Sequence, residues 1–94
     1  MTLIDKLHIN QGVLLPSELW KFGVSIAMLN KLLGGTDRRR EFLNNIYGVS
    51  SSKELTPEQR FTLCKWVDPR KVETEWTISK EFMDDIKEYR NGSS

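Results

Sequence analysis

The chain has little of the chemistry that sulfur and histidine provide, since its 94 residues contain one cysteine and one histidine. One cysteine excludes a disulfide framework, and one cysteine with one histidine cannot supply the four ligands of a structural zinc site. Long hydrophobic runs are also missing, because no stretch reaches the roughly 18 apolar residues of a membrane span. The first residues lack the basic start and the apolar run of a secretory signal peptide. We therefore expect no disulfide, no metal, no membrane span and a cytoplasmic location.

An excess of charge of one sign is missing as well. The sequence has 14 basic and 13 acidic residues, for a net charge of +1. This balance excludes a strongly basic nucleic-acid binder and an acidic mimic of DNA, so any nucleic-acid site must come from local clustering. Hydrophobic residues make up 38% of the chain, with three Trp, four Phe and two Tyr. That supply is sufficient for the core of one small domain.

Helical spacing is the main pattern in the apolar residues that follow Pro16. They recur every three or four positions, at Leu19, Phe22, Ile26, Leu29 and Leu33. Gly23 interrupts this stripe, and Ser25 is a good N-cap. The stretch is therefore either one helix with a weak point or two helices joined at residues 23–25, and Gly34 and Gly35 end it.

Local capping signals indicate further helices. Thr36 can cap a helix that ends at Gly48, and Ser79 can cap the last helix. Thr56-Pro57-Glu58-Gln59 combines a capping box with a proline at the first helical position. Residues 72–78 alternate between apolar and polar as a strand does, although Asp68-Pro69 could also open a helix.

The expected fold is all-α, a compact bundle of four or five short helices, with one short extended segment near 72–78 as an option. We expect residues 1–15 to be a weakly ordered N-terminal segment. Residues 16–90 should form a single helical domain, and residues 91–94 a disordered tail.

Catalytic constellations are not evident in the sequence. His8 and Cys64 would have to meet to form a nucleophile and its base. The carboxylate pairs Glu73/Glu75 and Asp84/Asp85 are most simply solvated faces. Phosphate-binding loops, dinucleotide fingerprints and HExxH motifs are missing. We therefore expect no enzyme, no catalytic residue and no cofactor.

Residues 18–34 resemble the helix-turn-helix signature of DNA-binding proteins. Leu19 stands four residues before Gly23, Val24-Ser25 follows the glycine, and Leu29 and Leu32 stand six and nine residues after it. The resemblance implies that a second helix, about Ser25 to Leu33, enters the major groove. The side chains that would face DNA are Ser25, Ile26, Ala27, Asn30 and Lys31. It also implies a homodimer, with the final helix as a dimer element.

The run Arg38-Arg39-Arg40 falls in the first turn of the helix that begins near Thr36. Positive charge there opposes the helix dipole, by roughly 0.3–1 kcal/mol per charge. A placement that lowers local stability indicates an outside partner, such as phosphate or an acidic protein surface. We therefore expect Arg38, Arg39 and Arg40 to hold DNA phosphates, while a solvated face is the simpler alternative.

A second, shorter stretch resembles a family of interaction modules. Residues 48–59, a glycine, a serine loop and Glu-Leu-Thr before the capping box, are similar to small helical modules of phage recombination and replication proteins. That resemblance implies contact with a partner protein. Trp20, one position off the apolar stripe, is the tryptophan that we expect to be exposed.

The sequence therefore supports two functions. The first is a small non-enzymatic DNA-binding protein of helix-turn-helix type, in regulation or in phage or mobile-element DNA metabolism, with double-stranded DNA as its partner. The second is a protein-interaction module, an adaptor or inhibitor. It would dock on a replication, recombination or defence protein through Trp20, Ile26 and Met28.

Overall fold

Five α-helices and one hairpin make up residues 2–91, the part of the chain that this computed structural model describes. The helices are α1 (Leu3–His8), α2 (Leu19–Leu33), α3 (Thr36–Tyr47), α4 (Pro57–Val67) and α5 (Lys80–Arg90), and the strands are β1 (Arg70–Val72) and β2 (Glu75–Thr77). Single 3₁₀ turns at Pro16–Glu18 and Ser52–Glu54 precede α2 and α4. The predicted all-α bundle is confirmed.

The helix α2 runs without a break through Gly23, which decides between the two alternatives for this stretch. Glycine in a helix interior is less favourable than alanine by about 1 kcal/mol. Residues on both sides of it offset that amount, because Leu29 is fully buried and Phe22 and Ile26 pack against the core. Leu19, the first member of the predicted stripe, is 47% exposed, so the stripe is buried only from Phe22 onward. Burial of that part outweighs the local preference for a turn.

Ser25 does not cap a second helix. Its hydroxyl donates to the carbonyl of Lys21, one turn earlier, at 2.8 Å, and lies 3.7 Å from the sulfur of Cys64 on α4. The side chain is fully buried. A turn at residues 23–25, which the helix-turn-helix resemblance implies, is thus not observed, and α2 meets α3 through the pair Gly34 and Gly35 instead.

The N-terminal segment differs from its expected weak order. α1 has a complete capping box, in which Thr2 and Asp5 exchange hydrogen bonds, and Leu3 and Leu7 are buried. Leu14 also donates its backbone N–H to the carbonyl of Pro57 at 3.0 Å. The capping box of Thr2 and Asp5 is a local signal that the sequence analysis missed. The burial of Leu3 and Leu7 is not visible locally, because their partners lie on α4 and α5, far away in sequence.

The capping box predicted before α4 is confirmed. The hydroxyl of Thr56 accepts from the N–H of Gln59 at 3.1 Å, and the Gln59 side chain accepts from the N–H of Thr56 at 2.9 Å. Asp68 ends the helix with a left-handed φ of 50°. The predicted cap of α5 is confirmed too, since the hydroxyl of Ser79 accepts from the N–H of Phe82.

The extended segment near 72–78 is present as two strands rather than one. β1 pairs with β2 in an antiparallel register, with Lys71 opposite Trp76 and Val72 opposite Glu75. Glu73 takes a left-handed φ of 59° in the tight turn between them. Because the chain reverses there, Val72 and Trp76 lie on opposite faces of the hairpin, whereas their even spacing predicts one shared face.

The core lies between α2, α3 and α4 and is closed by α1 and α5. Its buried members are Leu3, Leu7, Leu29, Leu33, Phe42, Leu43, Ile46, Leu55, Leu63, Val67, Phe82 and Ile86. The apolar face of α5, with Phe82 and Ile86, packs inside the domain. These two residues are therefore not free to form the dimer contact that was predicted for the final helix.

Lys6 is a largely buried cation that ties α1 to α5. Its Nζ lies 2.7 Å from a carboxylate oxygen of Glu81 and 3.0 Å from one of Asp85. Its backbone carbonyl accepts from the indole N–H of Trp66 at 3.0 Å. The hydrogen bonds to Glu81 and Asp85 raise the pKa of Lys6 above its usual value.

Replacing Lys6 with Met should lower the free energy of unfolding by about 1–2 kcal/mol, between the values for surface and for buried ion pairs. Because the pKa of Lys6 is raised in the folded state, its stabilisation is complete below the pKa of an unfolded lysine. It is lost as the pH rises through the folded value. Urea denaturation should therefore show a lower free energy of unfolding for Lys6→Met than for the natural chain at pH 7, and a smaller difference between the two toward pH 12. The exposed Lys80, changed to Met, is the control, and equal stability of the two variants at pH 7 would contradict the prediction.

Candidate nucleic-acid interface

The five residues of α2 that were predicted to face DNA do not share an exposed face. Ser25 is 0% exposed, and Ile26 packs against the core. The side-chain oxygen of Asn30 is buried and has no hydrogen-bond partner within residues 2–91. Ala27 and Lys31 are exposed. α2 thus offers few polar groups to the edges of bases.

Two of the three consecutive arginines reach solvent at the start of α3. Arg38 and Arg40 are exposed, and neither lies within ion-pair distance of a carboxylate in the described part of the chain. Thr36 is the first helical residue rather than the cap, and Gly35 at the N-cap offers no side chain to the first backbone N–H groups. Asp37 is the one acidic residue of this first turn, so it offsets part of the positive charge of Arg38 and Arg40, and an anion would stabilise the rest.

Arg39, between these two, points inward. It is 8% exposed, and its Nη1 donates to the hydroxyl of Ser52 at 3.0 Å, while its Nε is buried without a partner among residues 2–91. Burial lowers the pKa of Arg39, and the charge of Arg40 lowers it further. Arg39 therefore holds the serine loop against α3 and is poorly placed to contact DNA directly.

Two more cations, Lys53 and Arg60, lie next to the Ser52 that Arg39 contacts. Lys53 is exposed, and its carbonyl accepts from Nη2 of Arg60 at 3.2 Å. The guanidinium of Arg60 lies 5.0 Å from the ring centroid of Phe22. Arg39 and Arg60 thus contact consecutive residues of one loop, although 21 positions separate them in the sequence.

Arg90, at the end of α5, adds a cation beside the end of α2 and the start of α3. Its Nη1 donates to the carbonyl of Leu32, next to Lys31, at 2.7 Å. Arg90 and Arg38 both line a cleft of about 680 Å³, together with Glu41 and Asn45. The end of α2, the start of α3 and the end of α5 therefore meet at this cleft.

We call seven cations, linked by the contacts described above, the basic region: Lys31, Arg38, Arg39, Arg40, Lys53, Arg60 and Arg90. All of them except Arg39 and Arg60 are exposed. The nearby Glu54 is engaged by the hydroxyl of Ser50 and the backbone N–H groups of Ser50 and Ser51, and these bonds lower its pKa. Sequence reasoning identified Lys31 and the arginine run. It missed the other three, because no local pattern links residues 53, 60 and 90.

The predicted exposure of Trp20 is confirmed, since 52% of its surface is accessible. Its ring centroid lies 5.8 Å from that of Trp76 on β2. Lys21 and Lys71 each place an ammonium within 6 Å of one of the two rings. Of the other residues predicted for a protein partner, Met28 is half-buried and Ile26 packs against the core.

His8 and Cys64 contact different neighbours. The His8 ring lies 5.6 Å from that of Tyr47, whereas Cys64 is buried beside Ser25. Burial raises the pKa of the Cys64 thiol, which disfavours the nucleophilic thiolate.

No family model, curated protein or solved structure matches this chain. Across residues 2–91, every helix is too short or too polar to cross a membrane.

Proposed function

We propose that this chain is a non-enzymatic DNA-binding protein that contacts the phosphates of double-stranded DNA through its basic region. The observation that carries the proposal is that five exposed cations lie on segments in mutual contact, on a chain whose net charge is only +1: Lys31 at the end of α2, Arg38 and Arg40 at the start of α3, Lys53 beside the Ser52 that Arg39 contacts, and Arg90, which bonds the end of α2. Phosphate contacts supply most of the affinity of non-specific DNA binding. This partner also fits the cytoplasmic location that the sequence predicts.

The proposed contact differs from that of a helix-turn-helix protein. With Ser25 buried and Ile26 in the core, α2 supplies few groups that could read base edges. Arginines and lysines on the phosphate backbone give position and affinity without sequence information. We therefore expect binding with little sequence preference.

Fluorescence anisotropy with a labelled duplex tests the proposal at two salt concentrations. About four or five phosphate contacts predict an affinity that falls roughly 150- to 500-fold between 50 and 200 mM salt. A single strand of the same sequence, which has a shallower salt dependence, is the comparison. No duplex binding at 50 mM salt with about 100 µM protein would contradict the proposal, because that is the weak limit of non-specific binding.

A partner protein is the second candidate, and the exposure of Trp20 favours it. Large aromatic side chains are the usual anchors of protein interfaces. The same anisotropy experiment discriminates the two, since an adaptor that docks through Trp20 would show negligible affinity for the duplex.

A further inference from the structure

Arg39 is a buried cation that has no counter-charge within residues 2–91. Only 8% of it is exposed, and no carboxylate of that range lies within ion-pair distance of its guanidinium. Its Nη1 donates to the uncharged hydroxyl of Ser52, and its Nε is buried without an acceptor. Buried charges are normally paired, because leaving water without a partner is costly. An anion is therefore the partner that this guanidinium lacks.

Ser52 connects the buried guanidinium to the surface. It is half-buried in the 3₁₀ turn Ser52–Glu54, and its hydroxyl accepts from Arg39 at 3.0 Å. Its own hydroxyl proton has no acceptor in the described part of the chain. A hydroxyl that accepts from a cation becomes a stronger donor, since hydrogen bonds in a chain polarise one another. Ser52 thus offers a charge-assisted donor to an anion at the surface.

Two further cations flank this hydroxyl. Lys53 is exposed and has no ion pair in the described residues, and its carbonyl accepts from Arg60 at 3.2 Å. The Nε of Arg60 is also buried without a partner in residues 2–91. The acidic residue of the turn, Glu54, has its carboxylate engaged by the hydroxyl and the N–H of Ser50. Positive charge around Ser52 is therefore left for a ligand.

We propose that Ser52 is a phosphate-binding residue and that Arg39 positions it. The hydroxyl of Ser52 donates to a phosphate oxygen, and the ammonium of Lys53 pairs with the same phosphate. Arg39 acts through Ser52 and supplies the buried positive charge. The source of the phosphate is the backbone of duplex DNA, which is the part of this inference that rests on the proposed function.

The phosphate site is tested first without DNA. Inorganic phosphate, titrated into ¹⁵N-labelled protein at pH 7 and constant ionic strength, should shift the amide signals of Ser52 and Lys53 to saturation, with a Kd of about 1–10 mM. Ser52→Ala should raise this Kd at least 10-fold. Ser50→Ala is the matched control, because it removes a hydroxyl of the same loop that is already bonded to Glu54. It should leave the Kd unchanged.

Thermal unfolding separates a positioning role of Arg39 from a structural one. Arg39→Met replaces the buried charge with an apolar chain, so in chloride it should unfold at the same temperature as the natural chain or higher. At a phosphate concentration ten times the Kd, the natural chain should gain about 4–8 °C more than the variant. The general stabilisation by phosphate acts on both and cancels. Arg39→Lys keeps the charge and should keep part of the gain, whereas a structural role predicts that Arg39→Met is less stable in both buffers.

Duplex DNA is the second arm of the test. Ser52→Ala should weaken duplex binding about 10-fold at 50 mM salt, through the loss of one hydrogen bond to a charged group. The slope of log affinity against log salt should not change, because serine carries no charge.

Three outcomes would overturn the inference or its parts. A phosphate response that is equal in Ser52→Ala and the natural chain shows that Ser52 does not bind phosphate. A response that needs Ser52, together with duplex affinity that does not, confirms the phosphate site and excludes DNA as its source. Absence of duplex binding by the natural chain contradicts the proposed function alone, since the titration with inorganic phosphate contains no DNA.

Discussion

Changing Arg38 and Arg40 together to Gln is expected to reduce affinity for duplex DNA about 100-fold at 50 mM salt, because each phosphate contact contributes about 10-fold there. The slope of log affinity against log salt should become shallower by about two units. Both arginines are exposed and unpaired in the described residues, so the loss should come from the DNA contact. Anisotropy titrations at four or more salt concentrations measure both quantities.

A matched control keeps the same change in net charge. Lys65 and Lys80 are exposed, lie on α4 and α5, and are outside the basic region. Their double change to Gln should weaken binding far less. If both double variants lose affinity equally, binding depends on net charge alone, and the basic region is not the interface.

The arginine variant should also be slightly more stable than the natural chain. Positive charge in the first turn of α3 opposes the helix dipole, by roughly 0.3–1 kcal/mol per exposed charge at low salt. A rise in thermal midpoint together with weaker DNA binding would indicate that the arginines serve a partner rather than the fold. A fall in stability would instead assign them a structural role.

Replacing Phe42 with Ala is expected to lower the free energy of unfolding by about 3–5 kcal/mol. Phe42 is 0% exposed, and its ring meets that of Tyr89 edge-on, with centroids 5.0 Å apart. The ring thus joins α3 to α5 in the centre of the core. Because small domains are stable by only about 5–15 kcal/mol, a large fraction of the total would be lost.

Urea denaturation monitored by circular dichroism measures this loss. Leu15→Ala is the control, because Leu15 is 56% exposed and its truncation should change stability by no more than about 0.5 kcal/mol. A loss below about 1 kcal/mol for Phe42→Ala would contradict the packing described for α3 and α5.

The helix ends could be predicted from the sequence because their chemistry is local. The capping box at Thr56, the cap at Ser79 and the left-handed glycines at 34 and 48 involve groups within four residues of each other. The number of helices and the all-α class follow from those ends and from the apolar spacing between them. α1 was underestimated in spite of its local capping box at Thr2 and Asp5, and the burial of Leu3 and Leu7 depends on distant helices.

The candidate site was accessible to sequence reasoning only in part. The run of arginines is visible as a cluster, but helix geometry decides that Arg39 turns inward to Ser52 while its neighbours reach solvent. The other three cations are linked to the arginine run by tertiary contacts. Lys53 and Arg60 belong to it through the loop at Ser52, which Arg39 contacts, and Arg90 through the end of α2. Such contacts have no signature in the spacing of residues.

The sequence by itself determined the all-α class, the capped ends of α4 and α5, and the exposure of Trp20, since these depend on short-range patterns. The tertiary structure alone decided three matters: that α2 continues through Gly23, that Ser25 is buried against Cys64, and that the basic region assembles from distant segments. The physical reason is the same in each case. Burial of apolar surface between helices contributes more free energy than the local preference of a glycine for a turn or of a serine for a cap. The same packing decides which basic side chains from distant segments come to lie near one another.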